Sequence, residues 1–136
     1  MALPKANRLS NRRDFAAVYR YGIRRSKPNL TLRALRQPVT TIEHRFGQLT
    51  PLMPGIRVGI TVSRKVSKLA VVRNRIRRRL HAALLLLLPD CSSGWDLVIV
   101  VHHQATQCEY REFLRELEQL LVEAEVLHGN PGRCLL

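Results

Sequence analysis

The sequence predicts a small α+β domain. Two segments alternate apolar and polar residues as half-buried strands do, a third is continuously apolar, and three more carry apolar residues at helical spacing. At 136 residues with 46% hydrophobic content the chain holds enough apolar surface for one core. A single domain over 1–136 is therefore expected, with loose ends at about 1–9 and 129–136 and a long loop at about 37–55.

In chain order, Ser10 reads as the N-cap of a helix running to about Arg20 and ended by Gly22, with Phe15 and Tyr19 on one face. Residues 24–28, Arg-Arg-Ser-Lys-Pro, read as a basic connector. From Leu30 to Arg36, Leu30, Leu32 and Ala34 alternate with Thr31, Arg33 and Leu35, the pattern of a strand. Residues 37–55 hold three prolines, two glycines and no period, hence the loop. Arg57 to Arg64 alternates again, Val58, Ile60 and Val62 against Arg57, Gly59, Thr61 and Ser63. If both strands share one sheet, its second face carries Thr31, Arg33, Thr61 and Ser63. A helix from about Ala70 to Leu88 gathers Val72, Ile76, Leu80, Ala83 and Leu87 on its inner arc, with Asn74, Arg78 and His81 opposite. Leu85 falls on the polar side, where only a packing contact accounts for it. Trp95 to Val101 reads as a strand buried on both faces, and Cys108 to Leu127 as a last helix with six outward glutamates.

Charge divides the chain. Residues 1–89 carry 20 basic and 2 acidic side chains, residues 90–136 carry 3 and 8, and the whole stands at +13. A solvated surface mixes both signs, so the segregation points to an interaction face for a polyanion. No apolar run reaches the ~20 residues that span a bilayer, and residues 1–5 lack the apolar stretch of a secretion signal, so a cytoplasmic location without a membrane partner is expected. Cys91, Cys108 and Cys134 fit neither a disulfide framework nor paired metal-ligand spacing and read as reduced structural residues. The adjacent His102 and His103 would point to opposite faces of a strand, so no metal site is expected.

The densest feature is five arginines within residues 73–79, interrupted by Asn74 and Ile76. Guanidinium groups keep their charge and grip phosphate through paired hydrogen bonds, so nucleic-acid contact outweighs a merely solvated face. Arg64, Lys65 and Lys68 would extend the patch toward the open sheet face. Phe15 and Tyr19 read either as core residues or as rings lining a cleft in which unpaired bases stack. Catalytic groups are scarce: Asp14 and Glu43 are the only acids in the basic two-thirds, and neither Ser63 nor His81 has a partner base or orienting acid in view. His81 reads as a further phosphate contact.

Asn7-Arg8-Leu9, Asp14-Phe15, Val18-Tyr19, the run Arg57-Val58-Gly59-Ile60-Thr61-Val62-Ser63-Arg64-Lys65 and then Val72-Arg73-Asn74-Arg75-Ile76-Arg77-Arg78 together resemble the protein subunit of bacterial ribonuclease P, over about residues 7–127. The resemblance implies a two-layer α/β sandwich of the ribosomal protein S5 domain 2-like type. This has a mixed sheet of about four strands, three helices and a left-handed βαβ crossover, against the usual hand of such units. It implies that catalysis belongs to an RNA subunit with bound magnesium, that the protein itself binds no cofactor, and that one protein joins each RNA. By position, Lys68, Arg73, Asn74, Arg75, Arg77 and Arg78 would meet the ribonuclease P RNA. Phe15, Tyr19, Thr31, Arg33, Thr61, Arg64 and Lys65 would line the cleft for the 5′ leader of precursor tRNA. This chain has Arg33 where many relatives carry an aromatic residue, which implies a phosphate contact in place of stacking, and Ser67 where glycine is usual; its 37–55 loop is long for the family. The expected function is 5′-end maturation of tRNA as a non-catalytic subunit, and the alternative is a ribosomal or other structural RNA-binding protein.

Overall fold

The computed structural model describes residues 3–37 and 55–127, so the body of the expected 37–55 loop, the expected loose tail, Glu43 and Cys134 lie outside the described residues. Strands β1 (Ile23–Ser26), β2 (Leu30–Arg36), β3 (Ile56–Thr61) and β4 (Trp95–Val101) form one mixed sheet in the order β1-β2-β4-β3. β1 pairs antiparallel with β2 and β2 with β4, while β3 lies parallel to β4. A parallel neighbour pair needs a crossover, and helix α2 (Ala70–Leu87) supplies it. Helices α1 (Arg12–Tyr21) and α3 (Tyr110–Glu123) complete the fold.

Strand alternation decides what each sheet face meets. Leu30, Leu32, Ala34, Val58, Leu97, Ile99 and Val101 face one side, where Ile76, Leu80, Leu84 and Leu87 of α2 and Phe113, Leu117, Leu120 and Leu121 of α3 close the main core. β4 is buried on both faces, as its unbroken apolar run predicts. On the other face α1 covers only part of the sheet, packing Val18 and Phe15 against Leu9, Leu35, Val98 and Val100. Leu85 is partly buried against the main core, which accounts for its place on an otherwise cationic side.

Several boundaries differ from the sequence reading, each for a local reason. Asn11, not Ser10, caps α1: its side-chain oxygen accepts from the Arg13 amide at 2.8 Å. Gly22 does end α1, but with φ −77° rather than in the left-handed region. What requires glycine there is close approach, since a Cβ would stand 2.5 Å from the Val18 carbonyl oxygen and 2.8 Å from that of Ala34. The expected basic connector is partly strand β1, because residues 23–26 find a ladder partner in residues 31–34. α3 is shorter than residues 108–127. Glu125 turns to φ 63°, and the Val126 and Leu127 amides fold back onto the Leu121 carbonyl at 2.9 and 3.1 Å. Of the six glutamates expected on its outer face, Glu118 is buried at 2% exposure, and one of its carboxylate oxygens has no hydrogen-bond partner.

The first nine residues are not loose where they are described. Leu3 is fully buried in the main core and Asn7, also buried, donates to the Ile56 carbonyl at 2.8 Å. The Leu9 amide bonds to the Val58 carbonyl at 2.9 Å, which covers part of the outer edge of β3. His81 belongs to this packing rather than to a phosphate site: its Nδ1 accepts from the Leu3 amide at 3.3 Å. Burial, then the charges of Arg8 and Arg77, hold its pKa below the ordinary histidine value, which favours the neutral ring that such an acceptor needs.

Candidate nucleic-acid interface

The sheet face on which α1 sits is built by register, and its centre is covered: Val98 is fully buried and Thr31 only 3% exposed. Thr61, Val100, Thr31 and Ser26 fall in one cross-strand row, and Gly59, Val98, Arg33 and Arg24 in the next. Gly59 is a seat for α1: any Cβ there would run into the Phe15 ring and come within 3.2 Å of the Leu9 carbonyl oxygen. Phe15 is thus half-buried in a small core, with part of its side chain left exposed beside the sheet. Tyr19, 40% exposed, carries the Arg33 guanidinium over its ring at 4.8 Å, and Arg33 also reaches the Tyr19 carbonyl oxygen at 3.4 Å.

α1 is locked to the sheet by an ion network that the sequence reading did not see. Arg57 holds Asp96 with both arms of its fork, at 2.9 and 2.7 Å, and reaches Asp14 of α1 at 2.8 Å. Gln37 adds a fourth bond, to Asp96 at 2.7 Å. Burial works against the Arg57 charge, but the hydrogen bonds and charges of Asp96 and Asp14 outweigh it and raise its pKa further. Asp14, which looked isolated in sequence, is thus committed to positioning Phe15 and Tyr19.

A second missed residue is His102. It continues the β4 alternation past Val100, and its Nε2 meets the Thr31 hydroxyl at 2.6 Å; Thr31 in turn pairs with Ser26 at 2.8 Å. The hydroxyl–imidazole chain closes one end of the open face. The only sequence signal for it was the strand period itself, carried two residues beyond Val100.

The cationic residues separate into two concavities. Arg64, Lys65, Lys68 and Arg73 line one of about 480 Å³, and Val71, Asn74, Arg77 and Arg78 line another of about 590 Å³. Lys68, in the turn before α2, and Arg73, in the first turn of α2, thus sit with Arg64 and Lys65. The five arginines of α2 are also not equivalent. Arg73 donates to the Ser67 carbonyl at 2.8 Å and Arg79 to the Cys108 carbonyl at 2.6 Å, so both brace the protein, whereas Arg75 and Arg78 are exposed. Arg77 meets the Asn74 side-chain oxygen at 3.3 Å.

Nucleophilic and metal chemistry find little support in the described residues. Burial, with Glu112 adding a hydrogen bond and a repulsive charge, pushes the Cys108 thiol up to about 12, far from a reactive thiolate. No group of three or more His, Cys, Asp or Glu side chains comes together there in a way that would hold a metal ion. No helix among the described residues is long and apolar enough to cross a membrane.

Comparison with known proteins decides the family. A family model described as Ribonuclease P matches residues 3–125. The ribonuclease P protein component of Nostoc punctiforme is 50% identical over 140 residues, covering 96% of this chain and 99% of that protein. That of Nostoc sp. strain PCC 7120 is 45% identical over 147 residues, with 96% and 99% covered. The chain belongs to the Ribonuclease P protein family. As a family member it is a protein component of an endoribonuclease complex, with a role in tRNA processing. Its fold agrees: the Staphylococcus aureus RNase P protein superposes with a TM-score of 0.72 at 21% identity, over 91% of this chain and all of that one. The Thermotoga maritima RNase P protein gives 0.64 at 19% identity, over 90% and 98%.

Proposed function

We propose that this chain binds a ribonuclease P RNA through the cationic side of α2 and the 5′ leader of precursor tRNA on the open sheet face, promoting cleavage that the RNA performs. The observation that carries the reading is the division of the surface. Exposed guanidiniums on α2 suit the phosphates of a folded RNA, while the α1-flanked rows of hydroxyls, Tyr19 and Arg33 suit an unpaired strand, whose bases stack and whose 2′-hydroxyls accept and donate. In this reading Asn74, Arg75, Arg77 and Arg78 contact the catalytic RNA. Phe15, Tyr19, Arg33 and Thr61, with His102 added, line the leader cleft, whereas Thr31, expected there from sequence, is only 3% exposed and holds His102 and Ser26 from beneath. The basic turn of Arg64, Lys65, Lys68 and Arg73 lies where the two RNAs meet.

In this reading the protein acts by binding and leaves the chemistry to the RNA. Asp14 and Asp96 are both held by Arg57, which supports that reading. The proposal further holds that magnesium enters with the RNA, that one protein serves one RNA, and that the particle works in the cytoplasm. Binding of precursor and mature tRNA to the particle reconstituted from this chain tests the cleft. Tyr19→Ala is expected to weaken precursor binding roughly 5- to 150-fold, the ~1–3 kcal/mol of one lost base stack, and to leave mature tRNA binding unchanged. Equal losses on both would remove the leader from this face.

A further inference from the structure

The β1–β2 hairpin contains a pairing that protein stability alone disfavours. Arg24 and Arg33 stand directly opposite each other in the ladder, on the face that carries Thr31 and Thr61, with Cβ atoms roughly 5 Å apart in such a pair. Like charges at that spacing repel, and edge strands use lysine or arginine mostly where the side chains diverge into water. No carboxylate relieves the pair among the described residues, whose ion pairs are Lys27 with Glu123 and Arg57 with Asp14 and Asp96. Arg33 is partly held by Tyr19, and Arg24 is exposed. The row is buried beneath α1 at Gly59 and Val98 and emerges at half-buried Arg33 and exposed Arg24, on the edge of the sheet.

We infer that Arg24 and Arg33 form a phosphate clamp that extends the single-strand path across the sheet to its β1 edge. The clamp holds a backbone phosphate of the leader upstream of the nucleotides seated on Tyr19 and Thr61. A phosphate between the two guanidiniums turns a repulsive pair into two charge-assisted contacts. It reads no base, so it adds affinity for longer leaders without sequence preference. The inference rests on the leader cleft proposed above.

The test titrates precursor tRNAs with leaders of increasing length, and mature tRNA, against the particle made from this chain and a ribonuclease P RNA. Arg24→Ala is expected to weaken binding about three- to tenfold once the leader is long enough to reach β1. The salt slope should fall by about 0.7 for one single-strand phosphate, with short-leader and mature tRNA unaffected. Arg24→Glu should do the same and should melt no lower than the wild-type protein, because glutamate opposite Arg33 makes a cross-strand ion pair. A loss that is equal on mature tRNA, no loss at any leader length, or a lower melting point for Arg24→Glu would overturn the clamp. If the wild-type particle itself binds mature and precursor tRNA alike, the leader cleft falls with it. If the wild type discriminates and Arg24→Ala discriminates equally, the clamp alone falls.

Discussion

Replacing Arg57 by alanine is expected to lower stability by about 3 kcal/mol, because it strands Asp96 at 7% exposure with Gln37 left, among the described residues, to bond its carboxylate. For a domain of this size that is a fall in melting temperature of roughly 10 °C. The same change frees Asp14, so α1 loses its tether and Phe15 and Tyr19 lose their position. Precursor binding should therefore drop by more than the unfolded fraction explains. Arg57→Lys keeps the charge but cannot span Asp96 and Asp14 with a fork, and should fall between the two. Thermal melts paired with precursor titrations measure both parts. A shift of only a degree or two would mean that the network behaves as an exposed one.

The double substitution Arg75→Ala with Arg78→Ala is expected to weaken binding to ribonuclease P RNA about 10- to 100-fold at moderate salt, from roughly 1 kcal/mol or a little more per lost phosphate contact. The slope of log affinity against log salt should fall by about 2, one for each contact. The melting point should hold or rise slightly, since two exposed like charges three apart on a helix repel. Arg73→Ala and Arg79→Ala should act differently, destabilising the fold through the loss of their bonds to Ser67 and Cys108. A salt slope that stays unchanged in the double variant would take α2 out of the RNA contact.

The elements with a strong internal period were legible from sequence. The β2 and β3 alternation, the apolar run of β4 and the apolar arcs of α2 and α3 each encode a buried face, and the structure places those faces together. What was not legible depends on partners far away in sequence. β1 is four exposed residues with two arginines, and nothing local distinguishes it from a loop; its strand character comes from residues 31–34. Leu3 and Leu9 are two apolar residues in a polar segment, and only their pockets make the segment ordered. His81 sits at a polar position of the wheel, yet the segment at Leu3 bonds to it. The site followed the same rule. Strand and helix period placed residues on shared rows and faces, but the burial of Thr31, Arg57 with Asp14 and Asp96, His102 with Thr31, and the grouping of Lys68 and Arg73 with Arg64 and Lys65 required the register of a sheet and the path of a turn.

The most direct measurement is cleavage of a precursor tRNA at low magnesium by a bacterial ribonuclease P RNA, with and without this protein, beside the protein alone. Stimulation of the RNA, with no cleavage by the protein alone, is the expected result. Cleavage by the protein alone, or no stimulation of the RNA, would contradict the assignment of catalysis to the RNA and of binding to the protein.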